Sequence, residues 1–348
     1  MNLNNIKVAI IGLGYVGLPL LFEVSKHYKV IGYDININRI NSLKKNIDYT
    51  KEVTTKKLQD RQNINFTNNI DNLSQCSFFI ITVPTPITNK YKPDLKFLRQ
   101  ASKEIGKIIK PNSFIVYEST VYPGCTEEVC LPILLKYSGL TYNKNLFLGY
   151  SPERINPGDK KHTIDKIVKI TSGSNKLAAD FIDSFYSKII KVGTHRVSTI
   201  RIAEAAKVIE NTQRDLNIAL VNELSIIFKK LNLDTNEILN AAATKWNFIN
   251  FKPGLVGGHC IGIDPYYLTY KSRIEGYEPK FILSGRSINE NMYKVVCNEI
   301  FKQSISIGIN LSKANILILG IAFKDNCPDI RNSQIFRVID FFDKLKSR

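Results

Sequence analysis

The stretch Lys252-Pro-Gly-Leu-Val-Gly-Gly-His-Cys-Ile-Gly-Ile-Asp264 carries the most reactive chemistry in this chain of 348 residues. Glycines at 254, 257, 258 and 262 surround Cys260, and they allow backbone conformations closed to other residues and close approach by a ligand. A thiol held in this way, with Asp264 four residues later, reads as a positioned nucleophile. The plain alternative is a structural cysteine buried in a tight turn. His259 adjoins the thiol in sequence, but chain neighbours usually point apart, so a backbone or substrate-phosphate contact is expected of it in place of a role as base. The other cysteines form no C-x-x-C pair and no disulfide framework. Cys76, Cys297 and Cys327 are expected to pack as small apolar groups or stay free, while Cys125 and Cys130 flank an acidic loop with no histidine nearby to complete a metal site.

A second constellation lies at the N-terminus, where Gly12, Gly14 and Gly17 spell G-x-G-x-x-G between a β-branched run and a helical pattern. The first glycine permits the tight turn, the second lets a pyrophosphate approach the backbone, and the third lets helix pack on strand. The helix N-terminus then offers free N–H groups and a positive dipole end to phosphates. Asp34 ends the next strand, about 20 residues on, where a carboxylate accepts the adenosine ribose hydroxyls. An acid there repels a 2′-phosphate, which favours NAD over NADP. Arg39 either stacks on adenine or is a solvated helix residue.

A third feature is a polar stripe on a helix. Glu204, Lys207 and Asn211 stand at i, i+3 and i+7 and share one face. Ile202, Ala203, Ala205, Ala206, Val208 and Ile209 wrap most of the remaining circumference, so this narrow stripe is expected to lie against protein or ligand.

The elements that must position these groups alternate strand and helix. Lys7 to Gly12, Lys29 to Asp34, Ser77 to Val83, Ser113 to Glu118 and Asn145 to Gly149 read as buried strands, with Leu18 to Lys26 as the first helix. Continuous apolar strands separated by helices predict an α/β fold, an N-terminal Rossmann-like doubly wound parallel sheet covered on both faces. A long helix without Gly or Pro follows from Ser198 to about Leu231, then Thr235 to Ala243 with Asp234 as N-cap. Asn315 to Gly320 reads as a buried strand opening a second Rossmann-like unit, which breaks off after one further helix and is therefore expected to be incomplete or to lean on a partner. The expected domains are 1–197, 198–310 and 311–348.

An apolar fraction of 44% argues against disorder, and no run is long and apolar enough to predict a transmembrane helix. No secretory signal pattern opens the chain, so a cytoplasmic enzyme is expected, without a membrane partner. A net charge of +17 suits an anionic diphosphate substrate. It does not point to nucleic acid, because the lysines are dispersed and no helix-turn-helix, zinc or RNP signature occurs.

Six motifs in order make the chain resemble the UDP-glucose/GDP-mannose dehydrogenase family over essentially its whole length. They are the glycine-rich N-terminus with Asp34, Glu118-Ser-Thr-Val-Tyr-Pro-Gly124, Ser151-Pro-Glu-Arg154, Glu204-Ala-Ala-Lys-Val-Ile-Glu-Asn211, the Cys260 loop, and Ala322-Phe-Lys-Asp-Asn-Cys-Pro-Asp-Ile-Arg331. Within that family it looks closest to bacterial UDP-N-acetylglucosamine/galactosamine 6-dehydrogenases of the Vi polysaccharide type. Arg154 stands where UDP-glucose enzymes tend to carry an aromatic, and His259 where they tend to carry a small hydroxyl residue.

The resemblance implies a four-electron oxidation of a C6 alcohol with two NAD, through a thiohemiacetal and then a thioester on Cys260. It implies that Lys207 and Asn211 stabilise the developing oxyanion, that Asp264 orients water and the thiol region, that Glu153 moves protons, and that Thr120 positions water and nicotinamide. It also implies cofactor contacts from Tyr15, Val16, Thr85 and Arg331, and substrate contacts from Glu153, Arg154, Lys207, Asn211, Gly257 and Lys324. A homodimer through the central helices is a further implication. Family members normally continue several dozen residues beyond Arg348, to complete the domain that closes over UDP.

Three other readings are compatible with parts of the sequence. One is a UDP-glucose or UDP-N-acetylmannosamine 6-dehydrogenase. Another is a two-electron dehydrogenase of the 6-phosphogluconate or 3-hydroxyacid type, which would leave the Cys260 loop without a purpose. The third is a truncated, inactive NAD-binding protein.

Overall fold

The computed structural model describes residues 6–155, 159, 161–258, 260–323 and 329–346. The backbone divides into two compact units, Met1–Val208 with Tyr266–Lys271, and Ile209–Pro265 with Ser272–Arg348.

The first unit is built on β1 (Lys7–Ile11), α1 (Gly17–Ser25), β2 (Lys29–Tyr33), α2 (Ile37–Lys44), α3 (Thr55–Gln59), β3 (Ile64–Thr67) and β4 (Phe78–Ile81). It continues with α4 (Lys96–Gly106), β5 (Ser113–Tyr117), α5 (Leu131–Ser138), β6 (Leu146–Tyr150), β7 (Lys169–Thr171), α6 (Lys176–Ile189) and β8 (Thr194–Arg196). Six strands form one parallel sheet in the order β3-β2-β1-β4-β5-β6, and β7 pairs with β8 in a small parallel ribbon. The order reverses beside β1, so the carboxyl ends of β1 and β4 open a crevice at the topological switch point. Every residue of β4, β5 and β6 is buried, as a sheet covered on both faces requires. Phe78, Phe114 and Phe147 stack along one face of the sheet against Phe181 and Phe185 of α6.

The division between units falls inside α7 (Ile200–Lys230). The second unit is helical, with α8 (Thr235–Ala242), most of α10 (Lys280–Ser306) and α11 (Ile335–Lys346); α9 (Asp264–Ile274) follows the cysteine loop. Asp234 caps α8 by accepting the Glu237 N–H at 2.7 Å. Cys297, Leu311, Val338 and Phe342 make a small core between α10 and α11.

Two expectations are corrected. Asn315 to Gly320 forms no strand, and Leu317 and Leu319 are 82% and 86% exposed. A lone extended segment has no ladder to satisfy its backbone groups, and no described residue pairs with it. The segment between Cys125 and Cys130 is not a loop. Thr126–Cys130 is a π-helical turn running into α5, and both thiols are buried. The wider π spacing brings residues five apart together, and the neighbouring Cys130 thiol and burial raise the Cys125 pKa.

Candidate active site

The glycine turn between β1 and α1 has the geometry of a phosphate cradle. Gly12 sits at φ +94°, a left-handed conformation that favours glycine, and its N–H reaches Tyr33 O at 2.8 Å. A Cβ on Gly17 would lie 1.9 Å from Gly12 O and 2.4 Å from Thr82 Oγ1, so helix and strand meet as closely as two backbones can. A Cβ on Gly14 would meet nothing within 4 Å. That open side of the turn is where a pyrophosphate can approach. Helix α1 begins at Gly17, with Tyr15 and Val16 leading into it, and has no side-chain cap.

Asp34 stands just past β2, half-buried. Its Oδ2 accepts the Leu13 N–H at 2.9 Å and its Oδ1 the Asn36 N–H at 2.9 Å. The carboxylate is thereby fixed beside the glycine turn, and the residues present fit an adenosine ribose and diphosphate. Arg39 is not a solvated helix residue. It is 6% exposed, its Nε donates to Leu13 O at 2.8 Å, its guanidinium lies 2.8 Å from Asp48, and Tyr49 covers it at 5.6 Å. Thr85 follows β4, and its carbonyl accepts the hydroxyl of buried Tyr267 at 2.9 Å. Thr120, half-buried, follows β5.

Glu153 lies after β6 and is 7% exposed. Its Oε1 accepts the N–H groups of Arg154 and Ile155 at 2.6 and 2.7 Å, and its Oε2 lies 3.3 Å from Lys169 Nζ. The same ammonium donates to Glu118 Oε2 at 2.7 Å, and Tyr186 donates to the other oxygen of Glu118. Burial raises the Glu118 pKa even with Lys169 beside it. Burial alone would depress Lys169, but the two carboxylates outweigh it and its pKa is raised. Lys169 and Tyr186 were not anticipated from sequence. The only signal was a lysine inside the apolar run Ile167-Val-Lys-Ile170.

On α7, Glu204 and Lys207 are both buried, as expected of the polar stripe. Glu204 accepts the Gly124 and Thr126 N–H groups at 2.5 and 2.8 Å. Burial pushes its pKa up to about 7 despite those two donors.

In the second unit, the backbone of the cysteine loop turns directly into α9. Cys260 O accepts the N–H groups of Ile263 and Asp264 at 3.0 and 2.8 Å. The Asp264 carboxylate is 1% exposed, and Asn211 Nδ2 donates to it at 2.5 Å. Gly258 adopts φ +86°, and a Cβ there would meet the Phe323 ring at 2.7 Å. At Gly257 a Cβ would lie 2.9 Å from Phe323 Cβ. Asn211, Asp264, Gly257 and Cys260 are thus gathered around one loop. Arg331 is exposed and grips Asp329 through Nε and a terminal nitrogen. Lys324 and His259 lie outside the described residues.

A nucleotide cradle, a carboxylate at the end of β2 and a half-buried thiol on a glycine loop define a type of dehydrogenase. The chain matches the NAD-binding domain of the UDP-glucose/GDP-mannose dehydrogenase family over residues 6–190, and the central domain of that family over residues 201–291. The chain belongs to this family.

Its relatives include a UDP-N-acetyl-D-glucosamine 6-dehydrogenase of Salmonella typhi, 55% identical over 99% of this chain and 81% of the relative. Another protein so named, from Pseudomonas aeruginosa, is 52% identical over 97% of this chain and 80% of its own length. Among solved structures, a UDP-D-ManNAc dehydrogenase from Pyrococcus horikoshii superposes with a TM-score of 0.90 at 28% identity, covering 97% of this chain and 81% of that one. The chain is therefore an NAD-dependent dehydrogenase of nucleotide sugars, with the Rossmann-like NAD-binding domain and helical central domain of its family. No described helix is long and apolar enough to cross a membrane, and no described cluster of side chains could hold a metal ion.

Proposed function

We propose that this dehydrogenase oxidises the C6 alcohol of a UDP-N-acetylhexosamine, UDP-GlcNAc before UDP-GalNAc, to the uronic acid. The names of the relatives at 55% and 52% identity support the sugar. The observation that carries the chemistry is the loop itself. A half-buried thiol sits in the loop leading into α9, and the first residue of that helix, four positions on, is a buried, amide-held carboxylate.

NAD, held by the glycine turn and Asp34, would supply the hydride acceptor for two oxidations at C6. The first oxidation leaves an aldehyde, and the Cys260 thiolate adds to its carbonyl carbon to give a thiohemiacetal. Loss of the second hydride and of the hydroxyl proton gives a thioester. Water then attacks the acyl carbon, releasing the carboxylate and the thiol. The covalent intermediate keeps the aldehyde from leaving between the two oxidations.

Lys207 and Asn211 supply charge and hydrogen bonds to the oxyanion. Glu153 accepts the alcohol proton, Asp264 orients the hydrolytic water, and Thr120 holds water beside the nicotinamide. Arg154, Gly257 and Lys324 contact the nucleotide sugar. Gly12, Gly14, Tyr15, Val16, Gly17, Asp34, Arg39, Thr85 and Arg331 contact NAD. These roles divide among functional regions 1–197, 198–310 and 311–348. We place the reaction in the cytoplasm, in a homodimer formed through the central helices, in the supply of sugars for surface polysaccharide.

The test is NADH production by the purified chain with UDP-GlcNAc, UDP-GalNAc, UDP-glucose and GDP-mannose, with Cys260→Ala alongside. The expected result is two NADH per UDP-N-acetylhexosamine, lost in the variant. One NADH per sugar, unaffected by Cys260→Ala, would establish simple two-electron chemistry instead.

A further inference from the structure

A glycine-rich loop can place a nucleophile only if something else supplies the rigidity its own residues lack, because glycine backbone has the most freedom to lose. In the second unit that rigidity comes from a buried polar chain that none of the reaction steps uses. Asn222 of α7 is 0% exposed, and its amide grips Gly254 in both directions. Its Oδ1 accepts the Gly254 N–H at 2.8 Å, and its Nδ2 donates to Gly254 O at 3.0 Å. The second hydrogen of Nδ2 goes to Asn289 Oδ1 at 2.9 Å. Asn289 of α10, also 0% exposed, donates to the carbonyl and carboxylate of Asp215 at 2.9 and 2.8 Å.

Asp215 also accepts from Arg286 at 2.6 Å, and Arg286 is 2% exposed. The Arg286 guanidinium underlies the far side of the loop. A Cβ on Gly262 would lie 3.6 and 3.7 Å from its two terminal nitrogens. One buried network therefore holds the loop six residues before Cys260 and supports it two residues after. Only an amide side chain can return both backbone groups of Gly254, and Asn289 fixes which way that amide faces. Such a network is a poor way to gain stability compared with apolar packing, but a good way to fix one geometry.

We propose that Asn222 and Arg286 are positioning residues for Cys260, clamping its loop from α7 and α10 through Asn289 and Asp215. This rests on the proposed nucleophilic role of Cys260. The test compares Asn222→Ala, Asn222→Asp and Arg286→Lys in the full chain. Its first readout needs no turnover: the rate of iodoacetamide alkylation at high pH, where the thiol is ionised, mapped by mass spectrometry to the Cys260 peptide. Cys76, Cys125, Cys130 and Cys297 are buried and do not compete.

Asn222→Ala should speed alkylation by about threefold or more as the loop is freed. It should lower kcat by about tenfold or more, while NAD affinity stays within about twofold of wild type. Asn222→Asp keeps the acceptor for Gly254 N–H but loses both donors, and Arg286→Lys loses the planar fork, so both should also speed alkylation, by more than about twofold. If Asn222→Ala does not fold, these two variants decide. Alkylation within about twofold of wild type in the folded variants overturns the clamp. Undiminished turnover of Cys260→Ala overturns instead the nucleophilic role beneath it, and the alkylation rates still judge the clamp.

Discussion

The two glycines that flank the nucleotide turn do opposite jobs, and the structure separates them. At Gly17 an added Cβ would overlap the backbone Gly12 O at 1.9 Å and would also meet Thr82 Oγ1 at 2.4 Å. At Gly14 the added carbon would enter open space. Gly17→Ala should therefore damage the fold, lowering the thermal midpoint by a loss of about 2 kcal/mol or more, as overpacking against backbone does. Gly14→Val should leave the thermal midpoint of the NAD-free protein near wild type but fill the approach to the diphosphate. Its NAD affinity, read by fluorescence titration, should fall about tenfold or more, the cost of displacing phosphate from the helix N-terminus. If Gly14→Val binds NAD as wild type does, the turn is not the diphosphate cradle. The G-x-G-x-x-G pattern already assigned the second glycine to the pyrophosphate and the third to helix–strand packing, and the distances around Gly14 and Gly17 follow that division.

Helix α7 shows how far periodicity carries. The i, i+3, i+7 spacing put Glu204, Lys207 and Asn211 on one face, and Glu204 and Lys207 are indeed buried. Spacing could not say that Glu204 turns away from chemistry to cap the Gly124–Thr126 backbone, because its partners are 78 and 80 residues distant in sequence. The same limit hid Lys169 under Glu153, and the Asn222, Asn289 and Arg286 network under the cysteine loop. A buried polar group is recognisable only when its partner is in view. Strands β1, β2, β4, β5 and β6 were legible because each is a continuous apolar run. Short β3 and β7 were not, being Asn- and Lys-bearing segments that depend on their neighbours. The Asn315 to Gly320 run shows the converse, an apolar strand signature with no ladder to join among the described residues.

The cap has a consequence for pH. The Glu204 pKa is raised to about 7 in the folded protein from 4.5 for an unperturbed glutamate, chiefly by burial. Between those values the folded chain holds a proton that the unfolded chain has released. Stability therefore falls as pH rises through this window, by about 3 kcal/mol in all at about 1.4 kcal/mol per unit. Glu204→Gln carries no charge to desolvate, so its thermal midpoint should fall less steeply from pH 5 to pH 7.5. It should start lower, because one amide oxygen cannot serve both N–H groups as the carboxyl does. Parallel melting curves across that range would show that Glu204 does not titrate there.

At the scale of the molecule, the second unit leaves apolar surface that a single copy does not cover. Ile209, Leu220 and Ile227 recur at i, i+11 and i+18 along one face of α7 and are 52%, 55% and 44% exposed. Ile249 and Phe281 are 61% and 77% exposed, and Trp246 is 92% exposed. A net charge of +17 disfavours clustering of copies, so a self-association through this surface would have to overcome that repulsion. Trp246 is the chain's one tryptophan, which makes it a reporter of that event. In the homodimer we propose, raising the protein concentration should shift tryptophan emission to shorter wavelength over the same range in which light scattering shows the mass doubling. Raised salt should move that range to lower concentration by screening the repulsion. Phe281→Asp, which places charge in the apolar surface, should hold both signals at their monomer values to much higher concentration. A monomer mass at every concentration, with emission like that of free tryptophan, would mean that this surface has some use other than pairing two copies.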